Sequence, residues 1–516
     1  MNGITIKKEK LLEIISNEFD KYEKNNVILT RMINCINNLP EMLENTYNTI
    51  IEREKRKNML ENESEQFIKN FLYNNKFYYH TTSELFFEYN DKNFSLVKED
   101  DIQHNILTSI SSNKTLMDWK QKIKVIILKK IKERDIFSCI PESHTIQNVI
   151  NRLFPSICDT KEKAKYFLTI LGDILLKKCN NIYFLHPKTK PFIKALSNLS
   201  CMLFGTPNLS NIFKVKYYEH SFKDCRFVDL WEFMNIENWN SYVKENDALD
   251  LFCVSAYYST RYENADNFLL KKCKDESLTK YALYLKNNNV NNIINHFTNS
   301  VVETSVGCSI SWKNMQFLWK KFIDGERFQN MFFTTTLKTK LIEHLKYDQE
   351  KDVFLDCTSK LLPTVSKFIK FWNETIEITN DISEELEIDE LCSLFTHYTK
   401  ININENNILD LIKHYQSDVF IEDDKYLLNT KCNIWNKKED IINWLNQYKK
   451  NNPTNETYND EINITEMYQL YCGNKNKFTV SKRYFEKFIK EESQLNLIEE
   501  TFIKVKSFEN IQGINL

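Results

Sequence analysis

Arg483, Lys487 and Lys490 recur at spacings of four and three residues, with Lys482 beside the first, and on a helix that spacing gathers cations on one face. Phe485, Phe488 and Ile489 fall on another face of the same helix. The rings anchor the segment and the positive charge points outward. Three or four cations at helical spacing can meet successive phosphates and release their counterions, so these residues form a candidate contact for the phosphate backbone of DNA or RNA. The competing reading is a solvated helix, partly neutralised by Glu486, Glu491 and Glu492. No Asn, Gln or Arg here stands out as a base-edge reader, so base specificity does not follow.

The elements around this helix must hold it in place. Residues 465–472 read as one helix, Gly473 allows it to end, Ser481 can cap the next, and 495–498 with 502–505 read as two strands around an acidic turn at Glu499 and Glu500. Helix, helix and β-hairpin predict a winged helix over 462–516. A linker at 449–461, where Asn451, Asn452, Pro453 and Asp460 interrupt the apolar periodicity, precedes it.

Upstream, residues 1–73 read as helical, with segments 4–22 and 26–38, a break at Pro40 and a longer charged helix over 41–72. Residues 74–140 read as a small β-meander followed by helices. In 141–245 the order helix, helix, strand predicts an α+β segment compatible with a winged helix or a helical hairpin. Residues 246–448 read as mostly amphipathic helices, including 311–322 and 360–372, the latter broken early by Pro363. The fold class is therefore mainly α with small antiparallel β elements (α+β), in several domains, ending in a C-terminal winged helix.

Several chemistries are excluded by what is missing. Among 516 residues only seven are glycine, and no Gly-rich loop ends in Gly-Lys-Ser/Thr; Phe204-Gly205-Thr206-Pro207 comes nearest but lacks the lysine that would hold ATP phosphates. The 13 cysteines never form C-x-x-C and the nine histidines are scattered, so neither a metal site nor a disulfide framework is assigned. Glu99, Asp100 and Asp101, like Asp247 and Asp250, read first as helix starts. Asp173, His186, Glu219, His220, Asp224 and Arg226 are candidates for a site assembled from distant residues, each with a structural role as its alternative. No catalytic residue, metal or cofactor is assigned. With 69 Lys plus Arg against 71 Asp plus Glu, the net charge of -2 confines any polyanion contact to a local face. Residues 1–10 carry no signal-peptide pattern and no later stretch nears 18 uncharged apolar residues, which predicts an intracellular protein without a membrane partner.

Tyr468-Gln469-Leu470-Tyr471-Cys472 followed by Phe478-Thr479-Val480-Ser481-Lys482-Arg483-Tyr484-Phe485 resembles the C-terminal winged-helix segment of poxvirus-type and giant-virus primase-helicases. Residues 77–110 are similar, more loosely, to the small domain before the helicase in that family. Together they cover under a fifth of the chain, and the helicase P-loop is lacking. The richness in Asn, Lys and Ile resembles proteins of mimivirus-like nucleocytoplasmic large DNA viruses. The resemblance implies a viral nucleic-acid-associated protein in the host cytoplasm, viral factory or virion, whose helical middle binds viral or host replication or expression factors, and it carries over no catalysis. Two alternatives remain open: a helical scaffold, or virion or translation adaptor, that binds other proteins, and an enzyme with an unrecognised site.

Overall fold

Apolar residues at three- and four-residue spacing make the chain mostly helical. The computed structural model describes residues 8–178, 180–206, 209–230, 245–381, 384–451, 461–473, 478–491, 497–498 and 502–504. Their contacts gather into two units, Met1–Asn289 with Gln329–Met331, and Val290–Phe328 with Phe332–Leu516.

The first unit opens with α1 (Lys8–Lys21) and α2 (Asn26–Asn74). Asn25 caps α2, its side chain accepting the Ile28 N–H at 3.3 Å. Pro40, which the sequence reading makes a break, instead lies inside a continuous helix of 49 residues. The ring removes one N–H donor and leaves the Ile36 carbonyl without its helical partner. That turn is exposed, so water can serve the carbonyl. Farther along, Ile68, Phe71 and Leu72 of α2 are buried in a cluster with Ile102, Ile106 and Ile110 of α3 (Glu99–Ser111) and Ile123, Ile127 and Ile131 of α4 (Lys120–Lys132). An isoleucine every fourth residue builds each of those two faces. The meander β1 (Phe77–His80), β2 (Leu85–Tyr89) and β3 (Phe94–Val97) forms as expected, antiparallel in the order β1-β2-β3. Glu99, Asp100 and Asp101 occupy the first turn of α3.

Next come α5 (Ser143–Leu153), α6 (Lys161–Leu175), β4 (Ile182–Phe184), α7 (Lys190–Phe204), β5 (Phe213–Lys214) and β6 (Cys225–Phe227). Then follow α8 (Glu245–Tyr262), α9 (Ala265–Lys271), α10 (Glu276–Ala282) and α11 (Tyr284–Asn287). Here the structure corrects the expectation of antiparallel strands and of a winged helix within 141–245. β4 pairs in parallel with both β5 and β6, in the order β5-β4-β6. The α7 crossover returns the chain to the same end of the sheet, which a parallel pair requires and a hairpin does not.

Close approach of α6 and α8 organises this core. A Cβ on Gly172 would lie 2.0 Å from the Ser255 carbonyl oxygen, so only glycine fits there. The neighbouring carboxylate of Asp173 is buried and accepts from Ser259 Oγ at 2.6 Å and from the Ala265 N–H at 2.7 Å, tying α6 to α8 and to the start of α9. Asp250 of α8 is buried as well and accepts the Phe94 N–H at 2.7 Å, fixing the meander to this helix. Burial pushes the Asp173 and Asp250 carboxyls up to about 6.

The second unit contains α12 (Val290–Val301), β7 (Glu303–Ser311), α13 (Trp312–Gly325), α14 (Thr334–His344), β8 (Tyr347–Asp348), β9 (Val353–Thr358) and α15 (Leu362–Thr375). It continues with β10 (Ile376–Ile378), β11 (Glu385–Glu387), α16 (Ile388–Thr399), α17 (Glu405–Tyr415), β12 (Ile421–Glu422), β13 (Tyr426–Leu428), β14 (Thr430–Cys432) and α18 (Lys437–Asn451). Three small antiparallel sheets, β7-β9-β8, β10-β14 and β11-β13-β12, interrupt a stretch read as nearly all helical. Pro363 sits at the start of α15 and does not break it, because its missing N–H would have had no helical partner there. Last come β15 (Glu461–Asn463), α19 (Ile464–Gly473), α20 (Lys482–Glu491), β16 (Leu497–Ile498) and β17 (Phe502–Lys504). Their strands form an antiparallel sheet in the order β15-β17-β16. Among the described residues no helix is long and apolar enough to cross a membrane.

Two outcomes test this account of the first unit. Gly172→Ala should cost about 3 kcal/mol, read as a lower urea midpoint, because neither backbone can withdraw. The native Asp250 carboxyl, at about 6, lies above an unfolded aspartate near 3.9, so the folded chain retains its proton across that window. Its contribution to stability is fully present below about pH 4 and is lost as pH rises through about 6. Asp250→Asn keeps an acceptor for Phe94 and should flatten this part of the stability-against-pH curve; an unchanged difference between pH 4.5 and 7 would contradict it.

Candidate nucleic-acid interface

The helix carrying the candidate cations, α20, is built on its rings. Tyr484, Phe485, Phe488 and Ile489 are buried against Trp444 and Leu445 of α18 and Met467 and Tyr471 of α19. The Phe485 ring stacks on Tyr471 at 5.2 Å and tilts against Tyr468 at 5.4 Å. Hydroxyls lock the approach to the helix: Tyr468 Oη donates to the Val480 carbonyl at 3.0 Å, the Val480 N–H donates to Tyr471 Oη at 3.1 Å, and Tyr471 Oη donates to Asp440 Oδ2 at 2.7 Å. Ser481 caps the helix as its position suggests, accepting the Tyr484 N–H at 3.4 Å.

Beneath the cap lies a buried ion pair. Glu390, in the first turn of α16, accepts from Lys437 Nζ at 2.5 Å, from the Ser481 N–H at 2.6 Å and from the Glu387 N–H at 2.8 Å. Lys437 donates as well to the Glu385 carbonyl at 2.8 Å and lies over the Tyr484 ring at 4.6 Å. Burial raises the pKa of the Glu390 carboxyl, and the adjacent Lys437 charge works against that rise. Sequence reasoning did not find this pair. Glu387 and Glu390 before an apolar run do carry a capping-box spacing, which the structure contains, but nothing local marks Lys437 as the partner.

The four candidate cations separate. Arg483 turns back toward its own unit: its guanidinium stacks over Tyr426 at 4.4 Å, pairs with Glu422 and lies 3.4 Å from Glu385. These contacts link α20 to β12 and β13 while the Arg483 side chain stays 41% exposed. Lys482 stays exposed and pairs with Glu486 one turn on, at 3.5 Å. Lys487 is half-buried and Lys490 exposed. Glu491 and Glu492, expected to neutralise part of the face, have side chains outside the described residues.

The candidates for an assembled catalytic site fall into separate local roles. Arg226 grips Asp266 through two bonds of 2.8 and 2.7 Å, His186 accepts the Lys188 N–H at 3.3 Å, and the His220 carbonyl accepts from Tyr217 Oη at 2.9 Å. Asp173 is spent on Ser259 and Ala265. Glu219 is held at φ 49° and Asp224 ends a short turn before β6. An open groove elsewhere, beside Cys392, His397 and Lys400, includes none of the six. There burial pushes the Cys392 thiol up to about 12, which keeps it protonated rather than nucleophilic. Among the described residues no three His, Cys, Asp or Glu side chains gather as metal ligands would.

Comparison with protein-family models, curated proteins and solved structures gives no match.

Removing one member of the buried pair leaves the other charge without a partner. Lys437→Met should therefore destabilise the chain by about 3–5 kcal/mol, and Glu390→Gln combined with Lys437→Met should recover part of that loss. Thermal denaturation of the single and double variants distinguishes this from a simple packing defect, for which the losses would add.

Proposed function

We propose that this chain is a non-catalytic, nucleic-acid-associated protein whose C-terminal unit is a winged helix that meets the phosphate backbone of DNA or RNA. The observation that carries the reading is the order of elements from α18 onward: helix, strand, two helices, two strands, with β15 paired to β17 rather than to its nearer neighbour β16. That order supports a winged helix in which α20 is the recognition helix. Its buried rings support a fixed presentation, and Lys482, Lys487 and Lys490 supply the cations, with Arg483 holding the helix in place. The resemblance of residues 468–485 to the terminal segment of viral primase-helicases supports the same reading, and a large-DNA-virus origin belongs to it. On this reading the helical middle binds replication or expression factors.

Neutralisation favours a second reading, a scaffold that binds protein through the same unit. Glu486 answers Lys482, and Glu385 with Glu422 answers Arg483, so part of the positive field closes on itself.

A gel-shift series over salt separates the two. The full chain should bind duplex or single-stranded nucleic acid, and Lys482→Glu/Lys487→Glu/Lys490→Glu should weaken binding at least ~10-fold while lowering the log–log salt slope by about 2–3. Equal affinity and slope in the two proteins would overturn the nucleic-acid reading and favour the scaffold.

A further inference from the structure

The long helix α2 carries an apolar seam that is exposed from Ile36 to Ile50 among the described residues. Leu29, Met32, Ile36, Leu39, Leu43, Thr46 and Ile50 follow one another at alternating spacings of three and four residues. That is the 3.5-residue period by which two helices wrap around each other with each side chain set between four of the partner's. No side chain of α2 before Ser64 is buried, and Leu39, Leu43 and Ile50 are 45%, 60% and 49% exposed. Leu29 and Met32 at the start of the seam are half-buried, from Ile36 onward it is exposed, and Leu11, Leu12, Ile14 and Ile15 of the neighbouring α1 are exposed too.

We propose that this seam is a self-association surface, on which α2 of a second copy of this chain packs as a coiled coil. Charge selects that occupant. From 28 to 50 the positions flanking the seam are Ile28, Ile33, Cys35, Pro40, Met42, Tyr47 and Thr49, without a single charge. Charged flanks are the usual means by which one helix selects a different one, and this stretch has none. In a contact between identical copies, any flanking charge also risks meeting its own sign. The charged residues of the stretch, Arg31, Glu41 and Glu44, stand clear of the seam, which ends where Arg53 and Lys57 take its next two positions.

The area is sufficient. Covering the exposed parts of Ile33, Ile36, Leu39, Met42, Leu43, Tyr47 and Ile50 removes on the order of 600 Å² per copy, near the ~800 Å² per partner of standard interfaces. The seam spans roughly 33 Å of helix, long enough for three heptads. Because the seam from Ile36 to Ile50 is exposed, the contact requires no rearrangement of the buried cores.

Sedimentation equilibrium of the full chain across a dilution series tests this. The wild type should show the mass of at least two chains and fall toward one on dilution. Ile36→Glu/Leu43→Glu should weaken association at least tenfold with an unchanged far-UV circular dichroism spectrum, because both side chains are exposed in the single chain. Glu44→Lys, outside the seam, should associate like the wild type. A single-chain mass at every concentration up to about 50 µM, or an Ile36→Glu/Leu43→Glu variant that associates as the wild type does, would overturn the proposal.

Discussion

The carboxylate of Glu390 is where the second unit is joined to its last module. Three donors from separate stretches converge on it: the ammonium of Lys437 as α18 begins, the N–H of Ser481 before α20, and the N–H of Glu387 at the end of β11. A buried charge is tolerated only when its lone pairs are occupied, so the position of each donor is set by the other two. Lys437 spends a further proton on the Glu385 carbonyl and covers the Tyr484 ring, so the pair orients the same helix whose outer face carries Lys482 and Lys490. Arg483 repeats the arrangement nearer the surface, stacked on Tyr426 and paired with Glu422.

On the proposed reading α20 would have to be held rigidly, and it is held from beneath by rings and at its start by Ser481 and Glu390, with Arg483 paired at its side. Arg483 is already partly neutralised by Glu422, so a polyanion contact on this face, if it forms as proposed, would draw mainly on lysines, which act as mobile point charges and suit phosphate better than base edges. The first unit uses a related device with different chemistry: Asp173 and Asp250 accept backbone N–H groups inside an apolar core, and beside Asp173 the absence of a side chain at Gly172 lets α6 and α8 approach closely.

α2 follows a different logic. Its C-terminal turns are buried by the isoleucine faces of α3 and α4, while from Ile36 to Ile50 it projects an apolar seam that stays exposed among the described residues. It passes through Pro40 unbroken, with the exposed turn leaving the Ile36 carbonyl open to solvent. The two halves of one helix thus serve as an internal strut and an external surface.

Periodicity was the legible part. The meander, the isoleucine faces, the inward rings of α20, its Ser481 cap and the strands that follow could all be read from residue order, because each depends on neighbours two to four positions away. The small sheets between 303 and 432 were not legible: most of their strands are two or three residues long, and the longer β7 is exposed along most of its length, so it carries no inward and outward alternation. The parallel pairing of β4 was hidden because it depends on partners across an α-helical crossover. The sequence by itself determined a mainly helical chain with small β elements, the absence of a P-loop, and a ring-anchored helix bearing Lys482, Arg483, Lys487 and Lys490. Only the tertiary structure decided that Arg483 pairs with Glu422 and lies beside Glu385, that Glu390 pairs with Lys437, and that Asp173 and Arg226 serve the core. These are contacts between residues 40 to 98 positions apart, and electrostatic attraction acts on distance in space, which local spacing along a chain does not record.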